Sequence, residues 1–359
     1  MPEPSFRRTA RAGIVQIASR LGISPSTVSR ALRTETAHLV REDRRKAILD
    51  LAEKLHFSPN QGARMLRKGM NANLTVVVPL DEKIFFSEFY GRFLAGALHA
   101  AAARGWGVHI STFQRRPGAD FREALQHLSL DTSGMIFLAE PLAPADIEKL
   151  RGYRRPLVLT KSALPPGIAP ADVGVPVVGV DNREGARSAV RLLLQLGHRR
   201  IGLLLGPAGS RDADERKQGY LEVLVQAGVR PRVGWIHEGP FSAETGRSGL
   251  AAITAGADRP TAICCASDEI AFGALDAAHA AGLRCPQDLS IVGFDDGMWA
   301  TACRPALTTL RPPRRELAER AVSLIVEAAG RPGAAQRATT TDMPAAMVIR
   351  DSTRAIAVV

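Results

Sequence analysis

The sequence predicts an all-α helix-turn-helix head followed by an α/β body with two doubly wound parallel-sheet subdomains. Three observations support this prediction. Residues 14–33 have the spacing of two short helices that meet at a glycine, and positive charge is concentrated before residue 71. From residue 74 onward, short apolar runs alternate with amphipathic helical stretches, which is the pattern of parallel sheets covered on both faces.

The first element is a pair of helices within residues 14–33, IVQIASRLGISPSTVSRALR. Ala18 and Gly22 are the small residues that two crossing helices need, and apolar side chains share one face. Ser24 can cap the second helix, and Pro25 suits its first turn because proline there loses no helical hydrogen bond. This spacing predicts a helix-turn-helix whose second helix enters the DNA major groove, although an ordinary helical hairpin has similar small residues at its bend. The side chains left to meet the groove are those of Pro25, Ser26, Ser29, Arg30 and Arg33.

The charge distribution favours the DNA-binding alternative. Residues 1–70 contain 14 Lys and Arg against 6 Asp and Glu, whereas the remaining 289 residues contain 33 against 30. Most of the net charge of +11 therefore lies on the first fifth of the chain. A cationic segment of this kind is where a polyanion would be held, so the expected partner is double-stranded DNA.

Residues 1–13 are predicted to be a flexible basic arm, and residues 14–57 a helix-turn-helix DNA-binding domain. The third helix of this domain lies in REDRRKAILDLAEKLHF, residues 41–57, where apolar residues recur at helical spacing. The charged residues at the start of this helix form by default its solvated face, and one or two of them can reach backbone phosphates.

Residues 58–70 are predicted to form a hinge helix or linker, which Asn60 can cap. Because the segment is short and contains Gly62, it would order only against DNA and a partner copy. Leu66 would then be an apolar wedge at a minor-groove base step. The alternative is an ordinary flexible linker. The face shared by the hinge helix would consist of Ala63, Leu66 and Arg67.

Residues 71–359 are predicted to form the α/β body. The strand-then-helix rhythm restarts near Asn182, which favours two lobes over one large sheet. Ligands of such sheets bind outside the carboxyl ends of the strands, so the two lobes can form a cleft. The apolar runs expected to be strands are residues 74–79, 107–112, 134–139, 156–160, 175–180, 201–206, 235–239, 262–267 and 290–296.

Several classes of protein are excluded by what the sequence does not contain. No apolar run reaches the length of about 18 residues that a membrane span needs, and the N-terminus has no apolar secretory segment. No glycine-rich phosphate loop, nucleophile elbow or metal-ligand spacing occurs, so neither an enzyme nor a metal or other cofactor is expected. His198 follows Gly197 at a helix end, where a capping role is expected. Four cysteines without metal spacing predict a reducing, cytoplasmic location: Cys264, Cys265, Cys285 and Cys303.

Six motifs together resemble one known family over almost the whole chain. They are STVSRAL (26–32), FSPNQGARMLR (57–67), GVDNREGARSAVRLLLQLGHRRIGLL (179–204), ASDEIAFGAL (266–275), DLSIVGFDD (288–296) and PALTTLRPP (305–313). The chain resembles the lactose-repressor family of bacterial transcription regulators. The resemblance implies a periplasmic-binding-protein-like body, a homodimer on a near-palindromic operator, and a small-molecule effector that alters DNA affinity. It also implies a cytoplasmic, nucleoid-associated protein with dimer contacts within residues 87–104 and 269–282.

The resemblance assigns DNA-contacting roles to individual residues. It implies that Pro25, Ser26 and Arg30 read the major groove, with Arg33 nearby, and that Leu66 is the intercalating residue. Arg30 can grip guanine in a bidentate pair. Arg33 stands where the family usually has asparagine, so its contact or base preference is expected to differ. The remaining DNA-contacting residues expected in this way are Thr27 and Ser29 as phosphate anchors, with Asn60, Ala63 and Arg67 in the hinge.

The same resemblance places the effector in the cleft. It implies that Arg216 grips the ligand and that the carboxylate of Asp295 accepts from it. A carboxylate and a guanidinium that face one hollow can hold several sugar hydroxyls. Asp268 stands where the family more often has asparagine. The other expected contacts are Phe86, Phe241 and Ser267; alternatively, Asp295 caps the following loop and Phe86 lies in the core.

The function expected from these observations is a ligand-responsive repressor of a catabolic sugar operon. The alternative is a two-lobed sugar-binding protein of the transport class with no DNA role. That alternative predicts a signal peptide and no basic front end, which is the reverse of this chain.

Overall fold

The computed structural model describes residues 13–32, 36–55, 57, 72–79, 84, 87–113, 125, 128, 132–138, 142–150, 153, 155–256, 258–331 and 337–356. The chain divides into two compact units, Met1–Asn71 and Ala72–Val359, here called the head and the body.

The head contains three α-helices in its described part. Gly22 ends the first helix in the left-handed conformation (φ 61°), which glycine adopts without steric cost. Ser24 caps the second helix, since its Oγ accepts from the N–H of Thr27 at 3.2 Å. Ile17, Val28 and Ile48 are fully buried where the three helices meet. The helices are α1 (Ile14–Leu21), α2 (Pro25–Ala31) and α3 (Glu42–Lys54), with a 3-10 turn at Ala37–Leu39.

The body consists of two lobes, each built on one six-stranded sheet. The strands of lobe 1 are β1 (Asn73–Pro79), β2 (Gly107–Phe113), β3 (Gly134–Phe137), β4 (Leu157–Thr160), β5 (Val177–Val180) and β11 (Thr340–Met343). The strands of lobe 2 are β6 (Ile201–Leu205), β7 (Ile236–Glu238), β8 (Ala262–Cys265), β9 (Ser290–Phe294), β10 (Thr308–Arg311) and β12 (Ala346–Val348).

Helices and 3-10 turns accompany both sheets. Lobe 1 carries α4 (Glu88–Ala102), α5 (Pro144–Leu150) and α11 (Arg314–Ala329), with 3-10 turns at Lys161–Ala163 and Pro170–Asp172. Lobe 2 carries α6 (Asn182–Gln195), α7 (Arg211–Gln226), α8 (Ala243–Thr254), α9 (Asp268–Ala280) and α10 (Met298–Ala302), with a 3-10 turn at Val233–Trp235.

The sheet orders confirm the predicted doubly wound architecture. They are β11-β5-β4-β3-β1-β2 in lobe 1 and β12-β10-β9-β8-β6-β7 in lobe 2. All neighbours pair in parallel except β10 and β12. In β1, Val76 and Val78 face the core formed with α4 and α11, whereas Val77 faces the opposite core. Both faces of the sheet are therefore buried, which explains the continuous apolar runs.

The chain passes between the lobes three times: after β5, after β10, and between β11 and β12. The first passage is the restart expected near Asn182. The return of α11 to lobe 1 was not expected, and it packs so closely on α4 that a Cβ at Gly96 would lie 3.0 Å from the Cβ of Ala318. Lobe 1 is thus made of segments that are far apart in the sequence.

The capping role expected at the end of α6 is confirmed. Gly197 has φ 92° and donates to Leu194 O, while the N–H of His198 donates to Leu193 O. The imidazole of His198 is buried, and its nitrogens lie 3.0 Å from Thr261 Oγ1 and 3.1 Å from Ser290 Oγ. Burial lowers the pKa of His198, whose main-chain N–H caps the helix while its ring lies in the interior.

Cys264 and Cys265 lie in the buried strand β8, as expected, and both are free thiols. Burial raises the pKa of the Cys264 thiol to about 12, which makes it a poor nucleophile. Within the described ranges, no group of acidic, histidine or cysteine side chains has the geometry of a metal site. None of the helices described is long and apolar enough to cross a membrane.

Candidate DNA surface and effector cleft

Helix α2 presents a polar surface because its apolar residues all lie on the opposite side. Pro25, Ser26 and Arg30 are exposed, whereas Val28 is fully buried. The carbonyl of Arg30 accepts from Thr36 Oγ1 at 3.0 Å, which ties the end of α2 to the following turn. Among the described residues, the Arg30 guanidinium has no carboxylate partner, so its charge is directed to solvent.

Thr27 and Ser29, the expected phosphate anchors, are half-buried on the flanks of the same helix. The hydroxyl of Thr27 lies 2.9 Å from Ser24 Oγ, so part of its hydrogen-bonding capacity is used within the cap. The expected DNA contacts at Arg33, Asn60, Ala63, Leu66 and Arg67 lie outside the described residues.

The guanidinium of Arg216, which projects from α7, is buried in lobe 2, where it lines a small cavity with Tyr220 and Phe294. Asn182, the first residue of α6, accepts from Arg216 Nε at 3.0 Å and from Nη2 at 2.8 Å. Nη1 donates to the carbonyl of Ala266. The guanidinium carbon lies 3.8 Å from the ring centroid of Phe294 and 5.9 Å from that of Phe241. Arg216 is therefore held by neutral acceptors and aromatic rings.

Burial lowers the pKa of Arg216, and the charges of Asp212 and Asp295 oppose this effect. No carboxylate forms a direct ion pair with Arg216 in the part of the chain that the structure describes. The three hydrogen bonds to Asn182 and Ala266 use three of the five N–H donors of a guanidinium. Two donors are left for a ligand, which suits the expected role of Arg216.

Asp295, the expected ligand carboxylate, follows β9 in an unusual backbone conformation. Its φ is 132° and that of Asp296 is 50°, both in the region that favours glycine. The N–H of Asp295 donates to Leu310 O at 2.8 Å, and its Oδ1 accepts from Arg314 Nη2 at 2.5 Å. The carboxylate is about one-fifth exposed, so it remains accessible to solvent.

The buried side chain of Asp268 supports the loop that contains Asp295. Its Oδ2 accepts from the N–H of Gly297 at 2.9 Å, and its Oδ1 accepts from Thr309 Oγ1 at 2.5 Å. Burial and the charge of Asp295 raise the pKa of Asp268 to about 7. This carboxyl, rather than that of Asp295, binds the backbone of the loop.

Ser267 and Phe241 occupy different parts of the cleft wall in lobe 2. Ser267 is buried and its Oγ accepts from the N–H of Ile270 at 3.1 Å, so it caps α9. Phe241 is 37% exposed and lies over Gly206, where a Cβ would overlap its ring. Phe241 thus offers an aromatic surface. Phe86, the other aromatic residue expected to contact the ligand, lies outside the described residues.

A cavity of about 370 Å³, including its open mouth, lies between the lobes. Six polar residues that line it were not identified as site residues by the sequence analysis: Thr160, Lys161, Ser162, Asn182, Asp212 and Arg314. Lys161 follows the carboxyl end of β4 and could have been found from the rule that ligands bind at such ends. Asn182 and Asp212 bind each other, since Asn182 Nδ2 donates to Asp212 Oδ1 at 2.9 Å.

Two sets of polar contacts join the lobes beside this cavity. Lys161 Nζ of lobe 1 lies 3.1 Å from Glu215 Oε2 of lobe 2 and 3.1 Å from Asp342 Oδ2. In the second set, Arg92 Nη2 of lobe 1 donates to Asp296 O of lobe 2 at 3.1 Å. The N–H of Met298 in lobe 2 donates to Glu88 Oε1 of lobe 1 at 2.8 Å. The lobes are therefore in direct polar contact.

The chain is similar to known proteins in sequence and in fold. Residues 190–353 match the family described as a periplasmic binding protein-like domain. The chain is 30% identical over 355 residues to the HTH-type transcriptional repressor CytR of Escherichia coli (strain K12), covering 98% of each protein. It is 28% identical over 318 residues to the repressor PurR of Pectobacterium carotovorum subsp. carotovorum (strain PC1), covering 88% of this chain and 90% of PurR.

Solved structures share the fold. The lac repressor dimer bound to operator and the anti-inducer ONPF superposes with a TM-score of 0.80 at 24% identity, covering 96% of this chain and all of that one. A transcriptional regulator from Mycobacterium smegmatis superposes with a TM-score of 0.63 at 30% identity, covering 79% of this chain and 99% of the regulator. The complex of the regulator CelR with cellobiose superposes with a TM-score of 0.70 at 24% identity, covering 95% of this chain and all of CelR in that structure.

Proposed function

The chain belongs to the lactose-repressor (LacI) family of transcriptional regulators, and on that premise we propose that it is a ligand-responsive repressor of a catabolic sugar operon. We propose that it binds a near-palindromic operator as a homodimer in the cytoplasm, associated with the nucleoid. The observation that supports DNA binding most directly is α2, which buries Val28 while Pro25, Ser26 and Arg30 are exposed on a basic head.

In this proposal α2 lies in the major groove, and Arg30 reads a guanine through a bidentate pair. Such a pair discriminates against the wrong base by about 1–3 kcal/mol. Thr27 and Ser29 anchor phosphates, which fixes the register without adding sequence information. Two heads of a dimer would read two half-sites about one helical turn or a multiple of it apart. Arg33 and the hinge residues Asn60, Ala63, Leu66 and Arg67 add the remaining contacts.

The effector is proposed to bind in the cleft between the lobes. Arg216 has two N–H donors to offer, Asp295 has an accessible carboxylate, and Phe241 has an exposed ring. This combination suits a sugar, whose hydroxyls donate and accept while its apolar face stacks on an aromatic ring. The cellobiose complex of a regulator with the same fold supports the choice of a sugar. Ser267 and Phe86 complete the proposed contacts.

The transport-class alternative has one observation in its favour, the match of residues 190–353 to a periplasmic binding protein-like domain. That region covers part of the body, which both classes would share. The helical head with its basic surface has a purpose only in the first proposal. The likeness to CytR over 98% of the chain includes this head.

Selection of genomic DNA tests the proposal. The purified full-length protein is mixed with sheared genomic fragments and random competitor at moderate ionic strength, and bound fragments are sequenced. We expect enrichment of fragments with near-palindromic sites, and release or tightening by a sugar that also raises the melting temperature of the protein. Binding without any fragment preference, with and without hexoses and disaccharides, would overturn the proposal.

A further inference from the structure

Arg314 and Asp295 form an ion pair between the two lobes. Arg314 begins α11, which packs on lobe 1, whereas Asp295 follows β9 in lobe 2. Nη2 of Arg314 lies 2.5 Å from Asp295 Oδ1, and Nη1 donates to the main-chain oxygen of Asp295 at 3.2 Å. A single side chain of lobe 1 thus binds both the carboxylate and the backbone of Asp295.

The side chain of Arg314 is buried around this contact. The residue is only 4% exposed, and its guanidinium carbon lies 5.4 Å from the ring centroid of Phe89. Its Nε is buried and has no hydrogen-bond acceptor among the residues that the structure describes. Asp295 is therefore the carboxylate paired with this buried cation, and removal of Asp295 leaves a buried charge without its ion-pair partner.

Asp295 in turn depends on Arg314 for its position. Its backbone is in a conformation that non-glycine residues rarely adopt, and such a conformation persists only where the surroundings fix it. The contacts that fix it are the hydrogen bond from its N–H to Leu310 O on one side and the bonds from Arg314 across the lobe boundary. Movement of the lobes apart would remove the second set.

We propose that Arg314 is a positioning residue that holds Asp295 and, through it, sets the resting separation of the two lobes. This inference rests on the proposed function in one respect, which is the role of Asp295 as an effector contact. An effector hydroxyl that donates to Asp295 competes with Arg314 for the same carboxylate oxygens. Occupation of the cleft is then coupled to lobe position, because the ligand interacts differently with the joined and the separated lobes.

The neighbouring residue provides an internal control. Asp296 also pairs with arginines, since its carboxylate accepts from Arg311 Nε at 2.5 Å and from Arg350 Nη2 at 2.6 Å. Both of those arginines lie in lobe 2. Loss of Arg311 would therefore disturb the same loop without breaking a side-chain ion pair between lobes.

Distance measurements in the full-length protein test the inference without any small molecule. Spin labels are attached at Ala145→Cys on α5 of lobe 1 and at Val233→Cys in lobe 2, both exposed, in a Cys285→Ser background. The three remaining cysteines are buried and should not be labelled. The distance between the labels is measured by double electron–electron resonance for Arg314→Met, Arg314→Lys, Asp295→Asn and the control Arg311→Met.

We expect Arg314→Met and Asp295→Asn each to raise the share of a longer label distance several-fold. The double variant should equal either single one, because both remove the same contact. Arg314→Lys should be intermediate, because lysine keeps the charge but not the two-pronged contact. Without a ligand, the affinity of Arg314→Met and of Asp295→Asn for a selected DNA fragment should change about fivefold or more, as expected for coupled sites. The affinity of Arg311→Met should stay unchanged.

Unchanged label distances in Arg314→Lys and Asp295→Asn would overturn the inference, and so would an equal shift in Arg311→Met. If Arg314→Met fails to fold, the label distances of Arg314→Lys and Asp295→Asn still test the inference. The proposed function fails separately, by a lack of fragment preference in the unmodified protein, and the distance measurements do not depend on that result.

Discussion

The side-chain oxygen of Asn182 accepts two hydrogen bonds from Arg216, at 3.0 Å from Nε and 2.8 Å from Nη2. Asn182 is also the residue at which the chain enters lobe 2, since only Asp181 separates the end of β5 from Asn182, the first residue of α6. The orientation of the proposed ligand arginine is thus fixed by the passage between the lobes.

We expect Asn182→Ala to lower the free energy of unfolding by about 1.5–3 kcal/mol, because a buried charged group loses its hydrogen bonds. Urea unfolding at neutral pH measures this change. Gln195→Ala is the matched control, since Gln195 is an exposed amide on the same helix and should shift stability by about 0.5 kcal/mol or less. Equal unfolding midpoints for the two variants would contradict the role given to Asn182.

Arg30→Ala should remove base discrimination by the head while leaving non-specific, salt-sensitive DNA binding in place. The expected loss of preference for a selected fragment over random DNA is about 1–3 kcal/mol. Titrations at several salt concentrations separate the two effects. Arg44→Ala, an exposed arginine on α3, serves as the control and should weaken binding to both DNAs alike. A similar loss of discrimination in both variants would argue against α2 as the recognition helix.

Asp268 should make stability depend on pH near neutrality. The pKa of its carboxyl is about 7 in the folded protein, above the usual value of 3.8, so the folded state retains a proton that the unfolded state releases. The free energy of unfolding should therefore fall as pH rises from about 4 to 7. In Asp268→Asn this fall should be absent, because an amide can donate to Thr309 and accept from Gly297 at any pH.

Urea unfolding between pH 5 and 8 tests this dependence. Asp288→Asn is the control: Arg284 holds the pKa of Asp288 at about 2, so this carboxyl does not titrate in that range and the variant should follow the unmodified protein. Parallel curves for Asp268→Asn and the unmodified protein would show that Asp268 stays ionised throughout.

Lys161→Met should destabilise the body more than a comparable change at the surface. Lys161 is 6% exposed and pairs with Glu215 across the lobes and with Asp342, so its loss leaves carboxylates without a buried partner. Because Glu215 keeps Arg211 at 3.0 Å and Asp342 is partly exposed, we expect a loss of about 3 kcal/mol, at the lower end for buried pairs.

The control for this prediction is Lys217→Met on the same helix as Glu215. Lys217 pairs with Glu238 at 2.7 Å, but both side chains are more than a third exposed. Such a pair contributes about 0–1 kcal/mol. Thermal and urea unfolding compare the two variants, and equal losses would mean that the contact of Lys161 between the lobes adds nothing to stability.

Local patterns were enough to predict the head and the two sheets. The small residues at Ala18 and Gly22, the cap at Ser24 and the apolar strand runs each act within a few residues, so the sequence displays them directly. The restart at Asn182 was visible for the same reason. The ligand roles of Arg216 and Asp295 came from the resemblance to the family and stay predictions.

The contacts between the lobes could not be predicted in this way. Arg92 of lobe 1 and Asp296 of lobe 2 are 204 residues apart, and Arg314 meets Asp295 only because α11 returns to lobe 1. Periodicity reports which face of an element is buried but not which distant element covers it. Ser267 shows the same limit, because its hydroxyl could serve a ligand or a helix cap, and the structure places it in the cap.

The three passages between the lobes also bear on synthesis of the protein. When the ribosome has made the chain up to β5, lobe 1 still lacks α11, which covers α4, and β11, which forms an outer strand of its sheet. The apolar face of lobe 1 therefore stays uncovered until more than a hundred further residues have been synthesised. A nascent chain with such exposed apolar surface is prone to aggregation, and cutting the gene after β5 would leave lobe 1 without α11 and β11.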